Sequence, residues 1–200
     1  MKKLITVAIL AALASHANAA LFHFTGNITY NTDVVQINFN LNQDATNVRV
    51  WTDSFQSGVN FDPITALWNR TTGALIRQDD DNPSVNPATQ TYYDSGFTLA
   101  SLAAGQYAFT IAAYNNWAGA SLSDPFSFTA NSVTPVRIED WCQPASSNCS
   151  NQKGTFWSVW LDGVDNAVNP DNNVPEPGTL ALAALGLLGF GLRGLKSAKR

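Results

Sequence analysis

Histidine is almost missing from this chain: His16 and His23 are the only two in 200 residues. His16 lies in a segment read below as removable. His23 sits in the alternating stretch Phe22-His23-Phe24, where a structural role accounts for it. Cysteine is equally scarce, with Cys142 and Cys149 alone. Two thiols are too few for a cysteine-based zinc site, and their spacing excludes a Cys-x-x-Cys redox pair. The sequence holds no Gly-x-Ser-x-Gly elbow and no glycine-rich phosphate loop, so it offers neither an activated serine nor a nucleotide cradle. It also lacks the spaced Asp-x-Asp-x-Asp-Gly of an EF-hand. These absences point away from an enzyme. Paired carboxylates could serve a glycosidase, which keeps a secreted hydrolase as an alternative, but the aspartates gather in one loop rather than facing across a cleft.

Cations are few where they would matter for a polyanion. Two of the eleven lie in residues 1–19 and four in 174–200, leaving Arg49, Arg70, Arg77, Arg137 and Lys153 in between. Glu176 is the one acid of the fifteen outside that body, so the body carries fourteen acids and a net charge of about −9. A body of that sign repels nucleic acid and other anionic polymers and attracts divalent cations.

What is present is clearest at the two ends. Lys2 and Lys3 precede the apolar run Leu4 to Ala14, and Ala17 and Ala19 place small residues where a signal peptidase reads. Residues 1–19 are expected to be a signal helix cleaved after Ala19, since an eleven-residue run is too short to anchor. At the other end Val174-Pro175-Glu176-Pro177 precedes an uncharged run, Gly178 to Leu192, followed by Arg193, Lys196, Lys199 and Arg200. Fifteen helical residues span about 22 Å against about 30 Å of hydrocarbon. Extending the helix to Lys196, with Arg193 reaching back to the headgroups, completes a short transmembrane helix. The basic end stays cytoplasmic.

These three parts in order resemble the PEP-CTERM sorting signal of Gram-negative bacteria. The resemblance implies that residues 174–200 are recognised by an exosortase, a membrane-embedded cysteine protease or transpeptidase. It also implies that the protein passes transiently through the inner membrane to the cell surface or exterior, often alongside exopolysaccharide.

Export leads to an oxidising compartment, where Cys142 and Cys149 are expected to pair. So short a loop gives at best about 2–3 kcal/mol.

The body reads as sheet. Val35, Ile37, Phe39 and Leu41 alternate with polar residues, as do Tyr107, Phe109, Ile111 and Ala113. Phe22 and Phe24, Val48 and Val50, Phe126 and Phe128, and Thr155 to Leu161 extend the pattern. Clusters of Asn, Asp, Gly, Pro and Ser punctuate them. The expected fold is all-β, a β-sandwich over residues 20–165, with the polar stretch 166–173 as a linker to the tail. The series Asn60-Phe61-Asp62-Pro63-Ile64, Leu67-Trp68, Thr72-Gly73-Ala74-Leu75-Ile76, Asp79-Asp80-Asp81 and Ala104-Gly105-Gln106-Tyr107 resembles the bacterial pre-peptidase C-terminal-like sandwich. That resemblance implies a jelly-roll-like fold without catalysis of its own, sometimes with bound calcium.

Two candidate sites follow. Asp79, Asp80, Asp81 and Asp94 could ligate calcium, which takes six to eight oxygens. Strand alternation turns adjacent side chains apart, favouring Asp79 with Asp81. Asp53 could do similar work, as could Asp62, although an Asp before Pro63 more simply starts a turn. Trp117, Trp157 and Trp160 could stack on sugar rings, although tryptophans of a small sheet domain are also core material. The expected function is an exported, non-enzymatic surface or matrix protein, structural or adhesive in extracellular polysaccharide or biofilm. A carbohydrate-binding module using the tryptophans is the alternative beside the hydrolase.

Overall fold

The computed structural model describes residues 20–142 and 153–171. Alternation of apolar and polar residues produces nine strands in two antiparallel sheets. The first sheet has the order β1-β8-β3-β6, built from β1 (Ala20–Asn27), β8 (Phe156–Val164), β3 (Ala45–Thr52) and β6 (Gly96–Leu102). The second runs β5-β4-β7-β2-β9, from β5 (Leu75–Asp79), β4 (Pro63–Asn69), β7 (Gly105–Ala113), β2 (Val34–Leu41) and β9 (Asn166–Val168).

The period-2 pattern decides which faces meet. Ile37 and Phe39 of β2, Phe109 and Ile111 of β7, Val48 and Val50 of β3, Phe97 of β6, and Val159 and Leu161 of β8 form one buried cluster between the sheets. Phe97 and Phe109 meet edge to face across it, with ring centroids 6.1 Å apart. Each such side chain contributes about 1.5–3 kcal/mol by leaving water. Gly26 of β1 lies over Trp157, and a Cβ there would sit 2.6 Å from the indole Cζ2. The glycine is required by the thickness of the tryptophan beneath it.

The second sheet is covered on its outer face as well. Ala66, Trp68 and Ala108 form a small cluster under Leu75, Ala118, Leu122 and Phe126, and Trp68 Nε1 donates to Thr110 Oγ1 at 2.9 Å. This is why Ile64, Thr65, Ala66, Leu67 and Trp68 of β4 are all buried rather than alternately buried. It also corrects the expectation for Phe126 and Phe128. They belong to no strand. Phe126 plugs the outer face, and α1 (Ser127–Ala130) follows it. Asn116 Oδ1 accepts from Phe128 N at 2.9 Å and Ser127 Oγ accepts from Trp117 N at 2.8 Å, which fixes this cover.

A second correction concerns the linker. Asn166–Val168 is strand β9, paired with β2 as Asn38 with Val168 and Asn40 with Asn166, and Ala167 and Asn169 are buried. The folded body therefore extends beyond residue 165. Among the described residues no helix is long and apolar enough to cross a membrane. The expected signal helix and transmembrane helix lie outside the described residues, as does Cys149, the expected partner of Cys142.

Candidate functional site

At one end of the sandwich the β3–β4 connection, the start of β4 and the long loop after β5 come together, and five acids of the body, Asp62, Asp79, Asp80, Asp81 and Asp94, gather there. Asp62 immediately precedes β4 and is 5% exposed. Its carbonyl accepts from Tyr114 N at 2.9 Å, which ties it to the end of β7. Asp79 closes β5, and Asp80 and Asp81 follow it. The β4–β5 hairpin pairs Thr65 with Asp79, so the residues before β4 face those after β5.

The result is a convergence of Asp62, Asp80 and Asp81, each offering a carboxylate oxygen within 4.8 Å of the others. Burial, then Asp80, Asp81 and Asp94 in turn, raise the Asp62 carboxyl to about 8, against a smaller opposing pull from Lys153. Burial, then Asp81 and Asp79, lift Asp80 to about 6. Burial and Asp79 raise Asp81 as well. Asp80 Oδ1 is buried with no hydrogen-bond partner among the described residues. Lys153 is 8% exposed, but its ammonium donates to Gly58 O at 3.1 Å.

Of the four aspartates expected to act together, Asp79 and Asp94 have other work. Asp79 pairs with Arg77 at 3.4 Å and its Oδ1 accepts from Asp80 N at 3.1 Å. Asp94 is a loop strut: Oδ1 accepts from Thr52 Oγ1 and Phe55 N at 3.1 and 3.0 Å, and Oδ2 from Thr91 N and Thr91 Oγ1 at 2.7 and 3.0 Å. Burial raises its carboxyl, and these bonds oppose the rise. The carboxylates whose oxygens lie together among the described residues are Asp62, Asp80 and Asp81, whereas Asp79 of the expected Asp79–Asp81 pair turns to Arg77 and Asp80 N. Strand alternation ends with β5, so Asp80 and Asp81 are free of it and converge on Asp62. The expectation missed Asp62 as a leading member. Counting back along the hairpin from the Thr65–Asp79 pair would have found it.

Three carboxylates that raise one another's pKa at this distance have the charge and donor type that suit a hard divalent ion. Together they supply up to six oxygens, the donor chemistry calcium takes. Asp62, Asp80 and Asp81 would hold it.

The tryptophans have different fates. Trp157 is 3% exposed beneath Gly26 and shows no ring face to solvent. Trp160 lies on the outer face of the first sheet, with His23 stacked on it at 3.7 Å and 7° and Trp51 at 6.2 Å on a nearly parallel plane. Its Nε1 donates to Asp53 Oδ2 at 2.8 Å. His23 also bonds Ser158 Oγ at 2.9 Å, and burial lowers its pKa. Trp117 is half-buried in the cover of the second sheet. Of the three residues expected to stack on sugars, it alone has no ring stacked on it or glycine packed over it among the described residues.

The model of the PEP-CTERM protein-sorting motif matches residues 173–196, which hold Val174, Pro175, Glu176 and Pro177 and lie outside the described residues. No characterised protein matches the chain at a significant level. The chain thus carries the sorting motif of an exported protein processed by an exosortase.

Proposed function

We propose that a chain sorted in this way is a non-enzymatic surface or matrix protein, with a structural or adhesive role in the polysaccharide or biofilm around the cell. Signal peptidase and exosortase are its processing partners, and calcium at Asp62, Asp80 and Asp81 is its structural cofactor. The observation that carries the reading is the sorting motif at residues 173–196. The body adds support of its own: Asp94 has both carboxylate oxygens committed to holding loops, and the one described histidine is stacked on Trp160.

The test is an intact mass of the protein recovered from its host with exosortase present. Cleavage near residues 19 and 174 is expected, and a Cys142–Cys149 bridge would show as the loss of two protons. Replacing Pro175, Glu176 and Pro177 by alanine should leave an uncut, membrane-bound form. Release of that variant at the normal rate would refute the sorting reading. Full-length protein with its tail intact in the medium would refute it equally.

A further inference from the structure

The outer face of the second sheet has two halves. The β4–β7 half is covered by the segment bearing Phe126. The β2–β9 half carries an open groove of about 400 Å³. Its wall along β2 is made of amides: Asn38 and Asn40 project from alternate positions of the strand, and Asn42 follows its end. Gln106 of β7, Asn166 of β9 and Arg70 complete the polar lining.

Two observations set this groove apart. No acid lines it, although the body carries fourteen acids against five cations. The nearby carboxylates are turned to the backbone instead: Asp165 Oδ2 accepts from Asn42 N at 2.6 Å and Asp44 Oδ1 from Ala104 N at 2.8 Å. Arg70 is also the one cation of the body whose charged group has no partner among the described residues. Arg49 pairs with Asp162, Arg77 with Asp79 and Arg137 with Glu139, and Lys153 is held by Gly58 O. The backbone N–H of Arg70 donates to Gln106 O at 2.9 Å, so the residue is fixed at the groove while its guanidinium is exposed.

The amides are prepared in the same way. Gln36 Nε2 donates to Asn38 Oδ1 at 2.6 Å and Asn40 Nδ2 to Asn42 Oδ1 at 3.2 Å. These bonds orient the row and leave Asn38 Nδ2 as donor and Asn40 Oδ1 as acceptor. Side-chain amides offer both roles and match the donor–acceptor character of hydroxyls. A guanidinium forks onto a carboxylate in bidentate fashion.

We propose that this groove binds a carboxylate-bearing sugar chain, its hydroxyls taken by Asn38, Asn40, Gln106 and Asn166 and one uronate-type carboxylate by Arg70. Recognition is by hydrogen bonds and one ion pair, because no exposed aromatic ring lines the groove. The net negative charge of the body opposes approach at long range, but that repulsion is screened beyond about 8 Å at physiological salt. A groove without acids then decides contact. The chemistry gives a matrix role its polymer and rests on that reading only for its biological setting.

The test uses the full chain in mild detergent, with polygalacturonate and neutral dextran of matched length as probes, by calorimetry. Polygalacturonate should bind more tightly than dextran. Arg70→Gln should weaken it by about tenfold or more, the loss of a charged hydrogen-bonded contact, and leave any dextran binding within about twofold. Asn40→Leu should weaken both. Arg70 is exposed and bonds through its backbone, so an unchanged melting curve is expected and the variant reads binding alone. Equal binding of the two glycans, no binding of polygalacturonate, or indifference to Arg70→Gln would each overturn the proposal. Tail cleavage is measured separately, so failure here leaves the sorting reading standing, and the reverse holds as well.

Discussion

Asp62 shows how far a residue's behaviour departs from its type once three carboxylates share a partly dry corner. In the metal-free protein it keeps its proton up to about pH 8, whereas an unfolded chain releases it near pH 4. Between those values the folded state binds the extra proton, so metal-free stability falls as pH rises from about 4 to 8. Calcium needs the ionised carboxylates, so its stabilisation grows over the same interval. Melting of chelated protein should drop from pH 5 to pH 8, and millimolar calcium should restore it at pH 8 and hardly change it at pH 5. A calcium response equal at both pH values would contradict this. Asp62→Asn removes the charge that burial penalises, so at pH 8 the chelated variant should be more stable than the parent by about 1–3 kcal/mol and should lose its calcium shift. An unchanged calcium shift would rule Asp62 out as a ligand.

At the scale of elements, Gly26 and Ala167 are the sharpest probes. Gly26→Ala drives a methyl into the Trp157 ring and should cost about 1–3 kcal/mol by overpacking, read by chemical denaturation. Near-neutral behaviour would mean that β1 can lift from β8. Ala167→Asp buries a charge at a position 1% exposed and should cost more, about 3 kcal/mol or above, if β9 is integral to the body.

The same elements show what was legible in advance. β2 could be read because it buries one face and alternates accordingly, and β7 because its large apolar residues Tyr107, Phe109 and Ile111 alternate in sequence although the small residues between them are buried as well. β9 could not: a three-residue strand has too few positions to alternate, and its Asn-Ala-Val borrows its burial from β2. Phe126 and Phe128 copied the period of a strand, but Phe126 packs against Trp68 and Phe128 against Trp141 instead. Asp80 and Asp81 were visible as a cluster, while Asp62 joins them only through hairpin register. The amide groove left no local signal either, since Asn38 and Asn40 looked like the solvent side of an ordinary strand. Arg70, Gln106 and Asn166 reach them only through sheet order.

Across the whole molecule the dominant quantity is a body charge of about −9. Self-repulsion of that size opposes compaction and is partly screened by salt. Raising sodium chloride from about 0.01 to 0.15 M should stabilise the chelated protein at pH 8. That gain should survive Asp62→Asn, which separates diffuse screening from a site. Loss of the salt effect in the variant would place the strain wholly at the acidic corner.

β9 also sets how load enters the body. The last described backbone contact is Asp171 N to Asn169 Oδ1 at 3.0 Å, and the sorting motif starts at residue 173. Whatever its conformation, a chain of two or three residues can reach no further than about 10 Å. While the tail is held in the membrane, tension passes almost directly onto a three-residue lap joint with β2. That joint is expected to act as a mechanical fuse. Pulled from its C-terminus, the protein should yield first by a short peeling step and only then by rupture of the remaining eight strands. A single all-or-none rupture in force spectroscopy would show the fuse to be as strong as the structure it protects.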